Sequence, residues 1–167
     1  MNPALDAQNQ TEEESVMCKE EKNLLLVEDN DDHAELTEFY IKDCRPELKV
    51  CRLRDGAQAM AYIEQSEAAG QSLPWLVLLD LKLPKYDGHE VLAKMKRSSR
   101  LAKIPVVIFS TSNSGKDIER ALSCHANSYI VKPMEADKYG EVISEMLQYW
   151  ELDEHHRLLL EPCKGNV

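Results

Sequence analysis

Three features of the sequence predict a doubly wound α/β domain, a five-stranded parallel sheet with helices on both faces. Short apolar runs rich in β-branched residues alternate five times with segments of helical periodicity. Strand-then-helix repeats imply parallel strands, because right-handed crossovers are nearly obligatory and carry the helices onto the sheet faces. The runs end in polar or charged residues, and in such sheets ligands bind beyond the carboxyl ends of the strands.

The strand runs are Leu24-Leu25-Leu26-Val27, Val50-Cys51-Arg52-Leu53, Leu76-Val77-Leu78-Leu79, Val106-Val107-Ile108-Phe109 and Tyr129-Ile130-Val131. Four read as buried on both faces, and the second, the most polar, reads as an edge strand. Between them lie helical stripes: Leu36, Phe39, Tyr40 and Cys44; Ala59, Met60 and Ile63; Val91, Leu92 and Met95; Ile118, Ala121 and Leu122; Val142, Ile143, Met146, Leu147 and Trp150. Each makes one apolar face able to cover a sheet.

Residues 1–21 are polar and acidic and read as a disordered arm. The ordered domain is expected over 22–150, and 151–167 forms a C-terminal extension, helical at its start. A chain of 167 residues with 43% hydrophobic content fits one compact domain and no second catalytic one. Too little chain follows residue 150 for a DNA-binding or enzymatic output domain. A net charge of −10 argues against nucleic-acid binding by phosphate neutralisation. Cys18, Cys44, Cys51, Cys124 and Cys163 show no C-x-x-C spacing, so reduced thiols in the cytoplasm are expected rather than a disulfide framework or a zinc site. Neither a leader pattern nor a membrane-spanning run is found.

The chemistry gathers at the strand ends. The first run leads into Glu28-Asp29-Asn30-Asp31-Asp32, the third into Asp80, the fourth into Ser110-Thr111-Ser112 and the fifth into Lys132-Pro133. Asp31 or Asp32 fits the N-cap of the next helix. Glu28, Asp29 and Asp80 at one sheet edge repel one another unless a cation lies among them. Carboxylate oxygens suit Mg²⁺, which takes one or two carboxylates plus a phosphate. Asp80 is a nucleophile able to carry that phosphoryl group as an aspartyl phosphate. Asp29 with Mg²⁺, Lys132 and Ser110 fit the cation, ammonium and hydroxyl that phosphoryl transfer requires. Pro133 restricts the peptide bond after Lys132, cis or trans, and aims the lysine inward.

With these residues in place, the chain resembles the receiver domain of two-component response regulators. The resemblance rests on residues 24–30 (LLLVEDN), 78–88 (LLDLKLPKYDG), 104–112 (IPVVIFSTS) and 129–133 (YIVKP), and it covers about 22–150. It implies the receiver or flavodoxin-like fold with strand order 2-1-3-4-5. It also implies Asp80 as the phosphoacceptor, Asp29 as a direct Mg²⁺ ligand, Glu28 as a ligand through water, and the Lys82 backbone carbonyl as a further ligand. Ser110 matches the switch hydroxyl, Lys132 the phosphate-pairing lysine, and Tyr129 the aromatic that turns inward.

Residues 27–36 (VEDNDDHAEL), 54–63 (RDGAQAMAYI) and 79–92 (LDLKLPKYDGHEVL) look like the stand-alone receivers associated with phytochromes. The implied donor is a sensor histidine kinase, of the phytochrome photoreceptor type. Output would pass to a downstream protein, to a histidine phosphotransfer protein, or through a homodimer on the face of helix 4, strand 5 and helix 5. Leu147 and Trp150 are candidate dimer contacts, with core packing equally open. Lys82 and Ser112, each two residues beyond a site residue, are read as modulators of phosphoryl lifetime.

His33 and His89 are read as solvated surface positions, and the adjacent His155 and His156 are assigned no metal. A flavodoxin-like binding protein would need a Ser/Thr/Gly-rich first loop to cradle phosphate, which the acidic 28–32 stretch opposes. An aspartate-based phosphatase carries a second Asp where Lys82 stands, so turnover catalysis is not expected. A phosphorylation-independent scaffold is opposed by the full set of Asp29, Asp80, Ser110 and Lys132.

Overall fold

The computed structural model describes residues 22–68 and 70–160, with side chains through 154. The N-terminal arm, the last residues of the tail, Cys18, Cys163 and the side chains of His155 and His156 lie outside the described residues.

Strands and helices alternate: β1 (Asn23–Val27), α1 (Asp31–Cys44), β2 (Lys49–Leu53), α2 (Gly56–Ser66), β3 (Leu76–Leu79), α3 (Gly88–Arg97), β4 (Val106–Ser110), α4 (Gly115–Ser123), β5 (Ser128–Val131) and α5 (Ala136–Leu160). All strand pairs are parallel and the order is β2-β1-β3-β4-β5. Because side chains alternate across a strand, Leu25, Val27, Val77 and Leu79 meet α2, α3 and α4, whereas Leu24, Leu26, Leu76 and Leu78 meet α1 and α5. β1 pairs with both β2 and β3, so the chain direction of winding reverses beside it. A crevice at the carboxyl ends follows from that reversal.

The expected edge position of β2 is present, and β5 forms the other edge and is only half-buried, so three strands rather than four are fully enclosed. The apolar stripe of α1 shifts: Ala34, Thr37 and Ile41 are buried, whereas Phe39 is 63% exposed. Thr37 reaches the core because its hydroxyl donates to the His33 carbonyl and meets the Tyr139 hydroxyl at 2.8 Å. Burial pushes the Tyr139 phenol up to about 12. Leu122 lies half out of the α4 stripe, leaving Ala121 as that helix's buried residue.

Asn30, not Asp31 or Asp32, caps α1, its side chain accepting from the His33 N–H, while both aspartates sit in the first turn where the helix dipole favours them. The Lys132–Pro133 bond is trans. Leu147 and Trp150 are core residues. Helix α5 continues past Trp150 to Leu160, anchored by the Arg45–Glu151 and Lys22–Glu154 ion pairs.

Asp80 is held by a tight loop that ends in α3. The Gly88 N–H donates to the Leu81 carbonyl at 2.9 Å, and a Cβ at Gly88 would sit 2.2 Å from the Asp80 carbonyl oxygen. No rotamer change relieves a clash with backbone. Gly88→Ala is expected to destabilise the fold by about 2 kcal/mol or more, read from denaturant midpoints at constant slope.

Candidate functional site

Ladder hydrogen bonds bring four strand ends to one place. The Glu28 N–H donates to Leu53 at 3.0 Å, the Asp80 N–H to Val27 at 3.0 Å and the Lys132 N–H to Ser110 at 2.8 Å. Glu28, Asp80, Ser110 and Lys132 are all buried as a result.

The Lys132 ammonium is the centre of the cluster. It donates to Glu28 through a short contact, to Asp80 Oδ2 at 2.9 Å, and lies 3.3 Å from His33 Nδ1. Its three N–H groups therefore have three partners. The second oxygen of Asp80 accepts from the Lys82 N–H at 3.2 Å, and Glu28 Oε1 from the Asn30 N–H at 3.1 Å. Two buried carboxylates share one ammonium, so the pocket carries uncompensated negative charge. Burial pushes the Glu28 carboxyl up from its ordinary value; the Lys132 charge pulls it back, and Asp80 adds to the rise.

Glu28, His33 and Asp80 offer ligand atoms that all lie within 4.8 Å of one another. The Lys132 ammonium already bridges all three, so a divalent cation would draw on the carboxylate oxygens turned away from the lysine, Glu28 Oε1 and Asp80 Oδ1, which suit a hard ion. Asp29 follows Glu28 directly, is exposed, and is not part of that trio. The Lys82 side chain is also exposed.

Residues 24–144 match the response regulator receiver domain model. The chain belongs to this family. The receiver is 46% identical over 127 residues to the probable methanogenesis regulatory protein FilR2 of Methanothrix harundinacea, covering 76% of this chain and 82% of that one. It is 35% identical over 130 residues to the response regulator Rcp1 of a Synechocystis species, covering 77% and 88%. The phosphorylated cyanobacterial phytochrome response regulator RcpA superposes with a TM-score of 0.72 at 39% identity, over 77% of this chain and 93% of that structure. The protein is thus a receiver-domain response regulator of two-component signalling with phytochrome-associated homologues, and receiver domains bind divalent metal.

Ser110 and Tyr129, the residues the resemblance assigns to a switch, both bond to Ser112. Ser110 is fully buried, and its hydroxyl oxygen accepts a long hydrogen bond, 3.4 Å, from the Ser112 N–H. The Tyr129 hydroxyl donates to the Ser112 carbonyl at 2.9 Å. Ser112 directs its own hydroxyl to Asp117 at 2.5 Å rather than toward Asp80. That bond, with a smaller contribution from His89, holds the Asp117 carboxyl below the usual range.

His89 is not the solvated residue the sequence suggests, and His33, its side chain 36% exposed, keeps solvent on one side while its other side meets the pocket. His33 faces Glu28 and Lys132 because the cap at Asn30 starts α1 with its first turn over the pocket. His89 is buried, its Nε2 3.4 Å from Asp117. Arg52 is the functional neighbour that sequence reasoning missed: its guanidinium donates to the carbonyls of Glu28 and Asp29 and to the Asp31 carboxylate, clamping the acidic turn from β2. An arginine next to the end of a strand bordering an acidic loop was the available signal.

With its pKa raised in the fold, Glu28 binds a proton more tightly folded than unfolded, so its favourable contribution is complete below the unfolded value and is lost as pH rises through the folded one. In chelator-containing buffer the wild type should lose stability as pH increases upward from about 4.3. Glu28→Gln should flatten that segment of the curve, as followed by urea midpoints between acid and neutral pH.

Proposed function

We propose that this receiver is a single-domain response regulator that accepts a phosphoryl group from a histidine kinase onto Asp80 in a Mg²⁺-dependent reaction. The observation that carries this reading is the Asp80 carboxylate itself: buried at the end of β3, one oxygen bonded to Lys132 and the other to a backbone N–H, beside a second buried acid. A carboxylate fixed at both oxygens can be presented in line to an incoming phosphorus.

In the proposed transfer, an Asp80 oxygen forms a P–O bond as the P–N bond to the donor histidine breaks. The released imidazole nitrogen leaves on the kinase. Lys132 turns from Glu28 to a phosphoryl oxygen, and Ser110 donates its hydroxyl to another. Asp29 and Asp80 would ligate the metal directly, with the Lys82 carbonyl, and Glu28 through water. Mg²⁺ supplies neutralisation of the charge on the phosphoryl oxygens.

Output follows the face of α4, β5 and α5. Tyr129 fills the space that Ser110 vacates, and the exposed apolar residues there, Leu122, Val131 and Tyr149, are the surface on which a homodimer or downstream protein reads the change. Leu147 and Trp150, packed in the core, support that face from beneath. The resemblance to RcpA and Rcp1 supports a phytochrome-type sensor kinase as donor in the cytoplasm. A histidine phosphotransfer protein fits as a further acceptor. Lys82 stands where a phosphatase has its second Asp, so the reading is of a signalling protein rather than a turnover enzyme, without contact to nucleic acid or membrane.

Acetyl phosphate with Mg²⁺ should phosphorylate the wild type, seen by intact mass, and leave Asp80→Asn unmodified; labelling that persists in the variant would overturn the assignment. Chelation of the metal should abolish labelling. Lys82→Ala should change the decay rate of the phosphorylated protein severalfold, since a cation at that position controls how water reaches the phosphorus. An unchanged half-life would remove Lys82 from the mechanism.

A further inference from the structure

Ser112 is bonded in four directions. Its N–H donates to Ser110 Oγ, its carbonyl accepts from the Tyr129 hydroxyl, its hydroxyl donates to Asp117 and accepts from the Ser114 N–H at 3.4 Å. The two groups whose movement constitutes the proposed switch, the Ser110 hydroxyl and the Tyr129 ring, are therefore tied to one residue. Turning Ser110 Oγ toward a phosphoryl group removes the acceptor of the Ser112 N–H.

What fixes Ser112 is a half-buried contact to Asp117 on the following helix. Asp117 divides its carboxylate between Ser112 (Oδ2, 2.5 Å) and His89 Nε2 (Oδ1, 3.4 Å). His89 is only 5% exposed, and its Nδ1 is buried with no hydrogen-bond partner among the described residues. Among the described residues Asp117 is thus the polar partner of the His89 ring, and parting from it would leave that largely enclosed ring without a protein hydrogen bond. Helix α4 depends on this attachment. Its N-cap Ser114 makes no side-chain capping bond, and Ala121 is its buried residue. A helix so lightly packed is a low-stability element, easily biased by one tether.

We propose that His89 is a positioning residue for the switch: through Asp117 it latches Ser112, and with it Ser110 and Tyr129, in the resting orientation. The inference rests on the phosphoacceptor reading of Asp80 above. The latch belongs to the resting arrangement, so weakening it raises the population of the binding-competent one, and affinity for a phosphoryl mimic rises in proportion.

The test is titration of wild type, His89→Leu, His89→Gln and Ser112→Ala with beryllofluoride in Mg²⁺, followed by NMR and with thermal stability measured in parallel. His89→Leu fills the space without a donor to Asp117 and should bind about three- to tenfold more tightly, the effect of one modest hydrogen bond. Ser112→Ala should shift affinity in the same direction, whereas His89→Gln, which retains a donor at the Nε2 position, should remain near wild type. Should His89→Leu fail to fold, Ser112→Ala on the partly exposed loop carries the same test. A purely structural contact would lower stability without tightening binding, and affinity unchanged or weakened in the variants overturns the latch. Absence of any response in the wild type overturns the phosphoacceptor reading and the latch with it.

Discussion

Lys132 places one ammonium between two carboxylates that the fold has taken out of water, and the surrounding structure is organised around that unequal pairing. Such an arrangement tolerates burial only while every partner is held in place, since an unpaired buried charge is strongly unfavourable. The parallel ladder supplies the placement: Glu28, Asp80 and Lys132 are each fixed by a backbone bond to the neighbouring strand end. Arg52 adds a second restraint on the turn after β1. Because the negative charge is not fully balanced, the pocket suits a further cation, and in the proposed transfer the shared lysine turns to the new anion on Asp80.

The sheet and the pocket have different physical origins in the sequence. The strand runs were legible because fully buried parallel strands are continuous apolar stretches, and β1 and β3 show that pattern plainly. Helix α1 was less legible. Its inward face includes Thr37, whose hydroxyl is satisfied within its own helix and by Tyr139, and a pattern of apolar spacing selects Phe39 in its place. β5 misled for a topological reason: nothing in Tyr129-Ile130-Val131 distinguishes an edge from an interior strand until the pairing order is known.

The same distinction runs through the site. Asp80, Lys132 and Ser110 could be found in the sequence because each stands directly at a strand end. His33, His89 and Asp117 could not, because they reach the region from helices whose rotation about their own axes decides which side chains face inward. A histidine at the start of a helix is ordinarily solvated, and here packing of α3 against α4 encloses one. Ser112 was singled out by its position after Ser110, but its orientation toward Asp117 depends on a turn that sequence periodicity does not describe.

The length of α5 has a consequence for access. A helix of 25 residues spans roughly 37 Å at 1.5 Å per residue, and it runs antiparallel to the strands, away from Asp80. Its ion pair with Lys22, at the entrance to β1, sets Glu154 beside the opposite pole of the sheet. A fluorophore or surface tether introduced near residue 22 or 154 would stand clear of the acid pocket, so the protein can be immobilised by that pole with the pocket presented to solution.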